Sequence, residues 1–187
     1  MSRSIQTGPR RLALVAATAS LAFTAGSASA ATSGVPAFVT QDQMAAVAKA
    51  VKHPIYWLGP RAGFSYELTI GSTGHVFVRY LPKGAQLADK RSIFKTVATY
   101  PVKDARAQLQ AGAKFLKRPI GKVGTNGLAL ISRPPTSAYV VFGTENYQVE
   151  LFTPSAKGTN AALKSVQPVV PLKAAVSPPK PPVQPPK

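Results

Sequence analysis

The chain has 187 residues, of which 23 are Lys or Arg and 6 are Asp or Glu, giving a formal net charge of +17 at pH 7. It contains no cysteine and only two histidines, His53 and His75. Disulfide scaffolds, thiolate zinc sites and cysteine nucleophiles are therefore excluded, and a histidine-rich metal site is not expected. The hydrophobic fraction of 45% suits one modest core, and the excess of positive charge favours acidic partners.

Residues 1–30 have the order of a secretory signal peptide. A stretch with three arginines precedes an apolar run at about 12–25, and the small residues Ala28-Ser29-Ala30 follow. The run is shorter than the roughly 20 apolar residues that span a bilayer, so we expect cleavage after Ala30 rather than retention as a membrane anchor. Residues 31–39 are then expected to form a linker, and the exported chain keeps 20 basic and 6 acidic side chains.

Residues 169–187 predict a Pro/Lys-rich disordered tail. From Val170 onward the chain has seven prolines, three lysines and no acid. Because proline fixes φ and removes an amide donor, we expect an extended polyproline II segment. Two interpretations stay open: the tail is a solubilising spacer, or it is a cationic arm that reaches into an anionic matrix.

The region between these ends predicts three helices, at about 41–52, 102–117 and 155–166. The first begins with the capping-box spacing of Thr40 and Gln43, and Pro54 limits its end. The second carries alanine and leucine on one face, and lysine, arginine and glutamine on the opposite face. This helix is therefore expected to pack one side against a core and to present a basic side.

Six strands are predicted from period-two alternation and turn residues, at 64–70, 75–81, 94–100, 128–132, 138–142 and 147–152. Short loops between neighbouring strands favour antiparallel pairing. The predicted fold class is α+β, with a single, mainly antiparallel sheet of five or six strands and two or three helices packed on one face. The domain spans 40–168, and a strand that runs into a proline and a helix occurs in each half, which hints at a duplicated βββα unit.

The sequence carries no recognisable catalytic motif: a nucleophile elbow, a phosphate-binding glycine loop, a zinc-protease helix and a dinucleotide fingerprint are all absent. Glu67 and Glu150 occupy the polar phase of predicted strands, where solvent-facing positions are expected. His53 lies at a helix end and His75 opens a strand, so structural roles are expected for both. We therefore interpret the protein as a non-enzyme without a metal or cofactor. If it were an enzyme, His75 with Glu67 across the hairpin would be the first candidates.

Basic residues concentrate in the segment 79–122, where eleven Lys or Arg face only two acids, Asp89 and Asp104. Such a field attracts polyanions, although a cationic surface also serves solubility alone. The candidate polyanion-binding residues are Arg79, Lys83, Lys90, Arg91, Lys95, Lys103, Arg106, Lys114, Lys117, Arg118 and Lys122.

Three functions compete on this basis. The leading hypothesis is an exported, non-enzymatic domain that associates electrostatically with anionic cell-envelope polymers or lipid headgroups. The second is extracellular nucleic-acid binding, with stacking surfaces from the aromatic residues among the basic ones, Tyr80, Phe94, Tyr100 and Phe115. The third is a small-ligand or lipid carrier with an apolar pocket near Tyr56 and Trp57, for which the competing interpretation of Trp57 is a core anchor.

Three short segments carry a family resemblance: PIYWLGPRAG at 54–63, YEL at 66–68 and VRYLP at 78–82. With them the chain resembles uncharacterised exported or surface proteins of high-GC Gram-positive bacteria, over about 100 residues of its middle. The resemblance implies an extracytoplasmic location. It transfers no activity onto particular residues.

Overall fold

The computed structural model of the chain describes residues 33–171. The predicted signal peptide at 1–30 and most of the predicted tail, 172–187, lie outside the described residues. Within them the helices are α1 (Gln41–Val51), α2 (Ala105–Phe115) and α3 (Ala156–Leu163). The strands are β1 (Ala37–Val39), β2 (Tyr56–Trp57), β3 (Phe64–Ile70), β4 (Val76–Pro82), β5 (Lys95–Pro101), β6 (Gly121–Val123), β7 (Gly127–Ile131), β8 (Ser137–Phe142), β9 (Tyr147–Phe152) and β10 (Gln167–Pro168).

One antiparallel sheet organises the domain, with eight strands in the order β1-β3-β4-β5-β9-β8-β7-β6. The α+β class and the antiparallel pairing are confirmed, whereas the expected number of five or six strands is wrong. The two additional strands are the edge strands β1 and β6, which have three residues each and are too short to show a period-two pattern. Strand β1 also lies within the segment that we expected to be a linker. A separate two-stranded ribbon pairs β2 with β10.

The helices pack on both faces of the sheet, which corrects the expectation of one face. The α1 face carries α1, α3 and the β2–β10 ribbon, which pack with the main core cluster of Leu68, Val78 and Val149. The α2 face carries α2, whose Leu109 packs with Val141 in a second cluster. Successive residues of a strand point to opposite faces, so a strand covered on both sides buries adjacent residues.

The ends of α1 follow the local sequence signals. Thr40 Oγ1 accepts a hydrogen bond from the Gln43 amide at 3.2 Å, and Gln43 Oε1 accepts one from the Thr40 amide at 2.8 Å, which confirms the capping box. Lys52 closes the helix with a left-handed φ of 58°. Helix α2 differs, because Asp104 is its N-cap at φ 53° and its side chain makes no capping hydrogen bond.

The strand order contains two three-stranded meanders, β3-β4-β5 and β7-β8-β9, which meet at the pairing of β5 with β9. Helix α2 follows the first meander, and α3 follows the second. The two helices nevertheless lie on opposite faces of the sheet. The strand order is compatible with a βββα duplication, whereas the placement of the helices on opposite faces is not. The duplication therefore stays a prediction.

Candidate functional site

The α2 face is covered in two places and is open between them. Helix α2 lies over β7, β8 and β9. The β4–β5 connection at residues 83–94, which we call the basic loop, lies over the other half of this face. An open groove of about 450 Å³ lies at the basic loop, and its floor consists of side chains from Thr69, Phe77, Thr96 and Phe152. The face therefore has two ridges and a partly aromatic floor.

A buried ion pair fixes the basic loop to the sheet. Glu67 is 1% exposed, and its Oε1 accepts a hydrogen bond from Arg79 Nη1 at 2.7 Å. Its Oε2 accepts a hydrogen bond from the Ala88 amide at 2.6 Å, and Arg79 Nη2 donates to the Asp89 carbonyl oxygen. The expectation that Glu67 faces solvent is therefore wrong, because the loop folds over the polar phase of β3. Arg79, one of the candidate anion-binding residues, is engaged in holding this loop.

The only acid of the basic loop is paired within the loop. Arg91 Nη2 lies 2.6 Å from Asp89 Oδ2, and Arg91 Nε lies 3.0 Å from both carboxylate oxygens. These hydrogen bonds from Arg91 lower the pKa of Asp89 to about 2. The Arg91 guanidinium also lies 5.5 Å from the centre of the Phe94 ring. The loop consequently presents its lysines without an opposing free carboxylate.

The two arginines near α2 have structural hydrogen bonds. Arg106 donates from Nε to the Gly143 carbonyl oxygen at 2.6 Å, and also to the Asn126 carbonyl oxygen. Arg118 Nη1 donates to the Ile131 carbonyl oxygen at 3.4 Å. Both arginines therefore tie α2 and its C-terminal extension to loops and strand ends of the second meander, and part of their donor capacity is used there.

The lysines differ from these arginines. Within residues 33–171, no hydrogen bond or ion pair involves the side chains of six of the predicted lysines, and all six are exposed: Lys83, Lys90, Lys103, Lys114, Lys117 and Lys122. They belong to the basic loop, to α2 with its flanking turns, and to β6. Lys122 pairs with Leu128, whose side chain packs under α2, so this lysine belongs to the α2 face as well. Lys95 is the exception, because it lies opposite Tyr80 on the α1 face, with its Nζ 5.9 Å from the Phe64 ring centre.

Exposed apolar side chains accompany these lysines. Phe115, in the last turn of α2, is 86% exposed, and the next residue, Leu116, is 48% exposed. In the basic loop, Ile93 is 53% exposed and Leu87 is 39% exposed. The sequence predicted Phe115 as an aromatic residue among the basic ones, but it did not predict the exposed aliphatic residues Leu116, Ile93 and Leu87. The signal was present in the chain as apolar residues outside the core-facing positions of the helix and within a loop.

Tyr56 and Trp57 lie in the core rather than at a pocket. They are 4% and 2% exposed, and the rings of Trp57 and Tyr66 form a T-shaped pair at a centroid distance of 5.5 Å. The Tyr56 hydroxyl donates to Glu145 Oε2 at 2.9 Å, and burial is the main cause that raises the pKa of Tyr56. Neither residue lines the two best-formed grooves of residues 33–171. This burial supports the interpretation of Trp57 as a core anchor, and a ligand pocket beside these rings stays a prediction.

The predicted stacking aromatics are divided between the core, which holds Tyr80 and Phe94, and the surface, where Phe115 is exposed. Tyr80 and Phe94 are 1% and 4% exposed, and the Tyr80 hydroxyl accepts from the Leu58 amide at 2.7 Å. They are unavailable to a nucleobase. Tyr100 is half-buried on the floor of the α2 face and donates to Glu150 Oε2 at 3.1 Å; desolvation and this carboxylate raise its pKa to about 12.

His75 and Glu67 do not form a catalytic pair. The strand register places Glu67 opposite Arg79, while His75 lies beyond the last pair of the hairpin, Ile70 with Val76. His75 Nδ1 lies 2.6 Å from Thr73 Oγ1. Among the described residues, no group of three or more His, Cys, Asp or Glu is arranged to hold a metal ion. No helix in that part of the chain is long and apolar enough to cross a membrane.

Comparison with known proteins found no match: no family model, no curated protein and no solved structure matches the chain.

Proposed function

We propose that the protein is an exported, non-enzymatic domain whose α2 face associates electrostatically with anionic cell-envelope polymers or lipid headgroups. The observation that carries this proposal is the set of six exposed lysines on the two ridges and on β6, none of whose side chains has a hydrogen bond or ion pair within residues 33–171. Lysines without internal partners keep their full charge available to an external anion. The proposal of export rests on the leader-like order of residues 1–30 and on the resemblance to exported bacterial proteins.

The arrangement of acids supports the same surface. Asp89 is neutralised locally by Arg91, and Glu67 is buried with Arg79. With these acids and arginines paired, the net positive charge of the basic loop is carried by Lys83 and Lys90, both of which are exposed. Glu150 lies half-buried on the floor between the ridges, where it accepts the Tyr100 hydroxyl. An anionic partner is thus expected to contact the ridges rather than the floor.

Salt should release the protein from isolated envelope of the organism that produces it. Raising the ionic strength from about 0.1 M to 1 M shortens the Debye length from about 10 Å to about 3 Å, which screens contacts between exposed charges. We expect most of the bound protein in the high-salt supernatant, measured by immunoblot of medium, wall and membrane fractions. Retention after the high-salt wash would show that charge does not hold it there.

A matched pair of triple variants locates the contact surface. Lys90→Gln/Lys114→Gln/Lys117→Gln removes three charges from the α2 face, whereas Lys49→Gln/Lys157→Gln/Lys164→Gln removes three exposed charges from α1 and α3 on the opposite face. The first variant should elute from envelope at clearly lower salt than the second. Equal elution would show that only net charge matters, and would refute a role for the α2 face in particular.

A further inference from the structure

The two ridges of the α2 face carry apolar side chains that electrostatic attraction alone does not require. Phe115 is 86% exposed in a helix whose sheet-facing positions are Ala105, Leu109 and Ala113. Successive helical residues are rotated by about 100°, so the position two residues after Ala113 points away from the sheet. Phe115 therefore projects from the outer side of α2, beside Lys114. A polyanion without aromatic groups, such as a polyphosphate, gains little from a phenyl ring in this place.

The basic loop repeats the combination on the second ridge. Ile93 is 53% exposed, and it follows the exposed residues Lys90 and Arg91 closely in the chain. Both ridges rise from the same face of one sheet, since the loop is bound to Glu67 and Arg79 on the face that α2 covers. A broad surface can contact both ridges at once, whereas a thin polymer chain contacts one ridge or enters the groove.

We propose that the α2 face docks on an anionic lipid bilayer, with Phe115 entering the interfacial region and the flanking lysines binding lipid phosphates. This assignment rests on the proposed function and makes it more specific, because it names a lipid bilayer rather than a polymer as the partner. Apolar rings that enter the headgroup region while adjacent lysines meet anionic lipids are the two components of peripheral membrane binding. Lys114 and Lys117 bracket Phe115 and Leu116 in sequence, which places both components at one end of α2.

Vesicle partitioning of single variants tests this proposal. The protein, purified as its host produces it, is mixed with vesicles of phosphatidylcholine that contain about one quarter phosphatidylglycerol, and bound protein is measured by flotation. Phe115→Ser should lower the partition coefficient roughly tenfold, the fold-change expected for losing the burial of one aromatic side chain. Phe115→Trp should restore or strengthen binding, because tryptophan favours the membrane interface. Both variants should keep the wild-type melting temperature, since the ring is exposed.

The matched control is Val170→Ser. Val170 is 58% exposed, and its backbone carbonyl accepts a hydrogen bond from Gln41 of α1, on the other side of the sheet. This variant should partition like the wild type. Pure phosphatidylcholine vesicles should bind all of these proteins weakly, because the lysine contribution is then lost.

A parallel measurement with long-chain polyphosphate separates the two proposals. Polyphosphate binding by both wild type and Phe115→Ser, together with loss of vesicle binding by the variant, supports the lipid assignment. If Phe115→Ser binds anionic vesicles as well as the wild type, the entry of Phe115 into the bilayer is overturned and binding is electrostatic alone. If the wild type binds polyphosphate and no vesicles, the lipid assignment is overturned while the electrostatic function stands. If the wild type binds neither partner at low salt, both proposals fail.

Discussion

Replacing Glu67 by glutamine is expected to lower the free energy of unfolding by about 3–5 kcal/mol, one of the two largest effects that the structure predicts for a single substitution. The change removes the carboxylate that lies 2.7 Å from Arg79 Nη1 and leaves the guanidinium, 19% exposed, without its counterion. Breaking a buried pair on one side costs more than the pair contributes, because the remaining charge stays desolvated. The measurement is urea denaturation followed by circular dichroism, with the midpoint and slope fitted together.

The control for this prediction is Glu150→Gln on the same face of the sheet. Glu150 is half-buried and accepts the hydroxyl of Tyr100, so the glutamine variant should lose about 1 kcal/mol or less. In Glu67→Gln the slope should also change if the basic loop detaches, because the native state then exposes more surface. Equal stabilities of the two variants would show that the Glu67–Arg79 pair does not fix the loop.

Glu67 and Glu150 also show the limit of sequence reasoning here. Both occupy the polar phase of strands whose alternation predicts a solvent-facing side chain. What separates them is a connection of twelve residues, 83–94, that folds back over one half of the sheet and supplies the Ala88 amide to Glu67. Loop conformation depends on contacts between residues that are distant in sequence, and hydrophobic periodicity carries no information about those contacts.

The long strands and the helices were predictable because their signals are local in the sequence. Strand β3 with β4, and β8 with β9, have alternation over six or seven residues and glycine-containing turns between them, so local signals determine their pairing. The faces of the helices were not predictable. Sequence shows that α2 has an apolar stripe, but which side of the sheet receives that stripe depends on the path of the chain after Pro101.

The candidate site was likewise predictable in part: its exposed lysines were predicted, and the structural role of its arginines was not. Charge counting identified the lysines of the basic loop and α2, which the structure leaves exposed. The same counting included Arg79 and Arg106, whose guanidinium groups are engaged with a carboxylate and with backbone carbonyls. Arginine has five donors in a fixed geometry and is therefore often used to tie loops to a core, a role that composition cannot distinguish from binding.

Trp57→Ala should lower the free energy of unfolding by about 3–5 kcal/mol, because it removes a large ring that is 2% exposed and leaves a cavity in the main cluster. Trp57→Phe keeps most of the volume and should lose clearly less. Since this is the only tryptophan in the chain, wild-type fluorescence reports its environment alone, and a blue-shifted emission that iodide does not quench is expected. Trp57→Ala is itself followed by circular dichroism. If this variant unfolds within about 1 kcal/mol of the wild type, the ring does not anchor the core, and a ligand platform at Trp57 becomes the better interpretation.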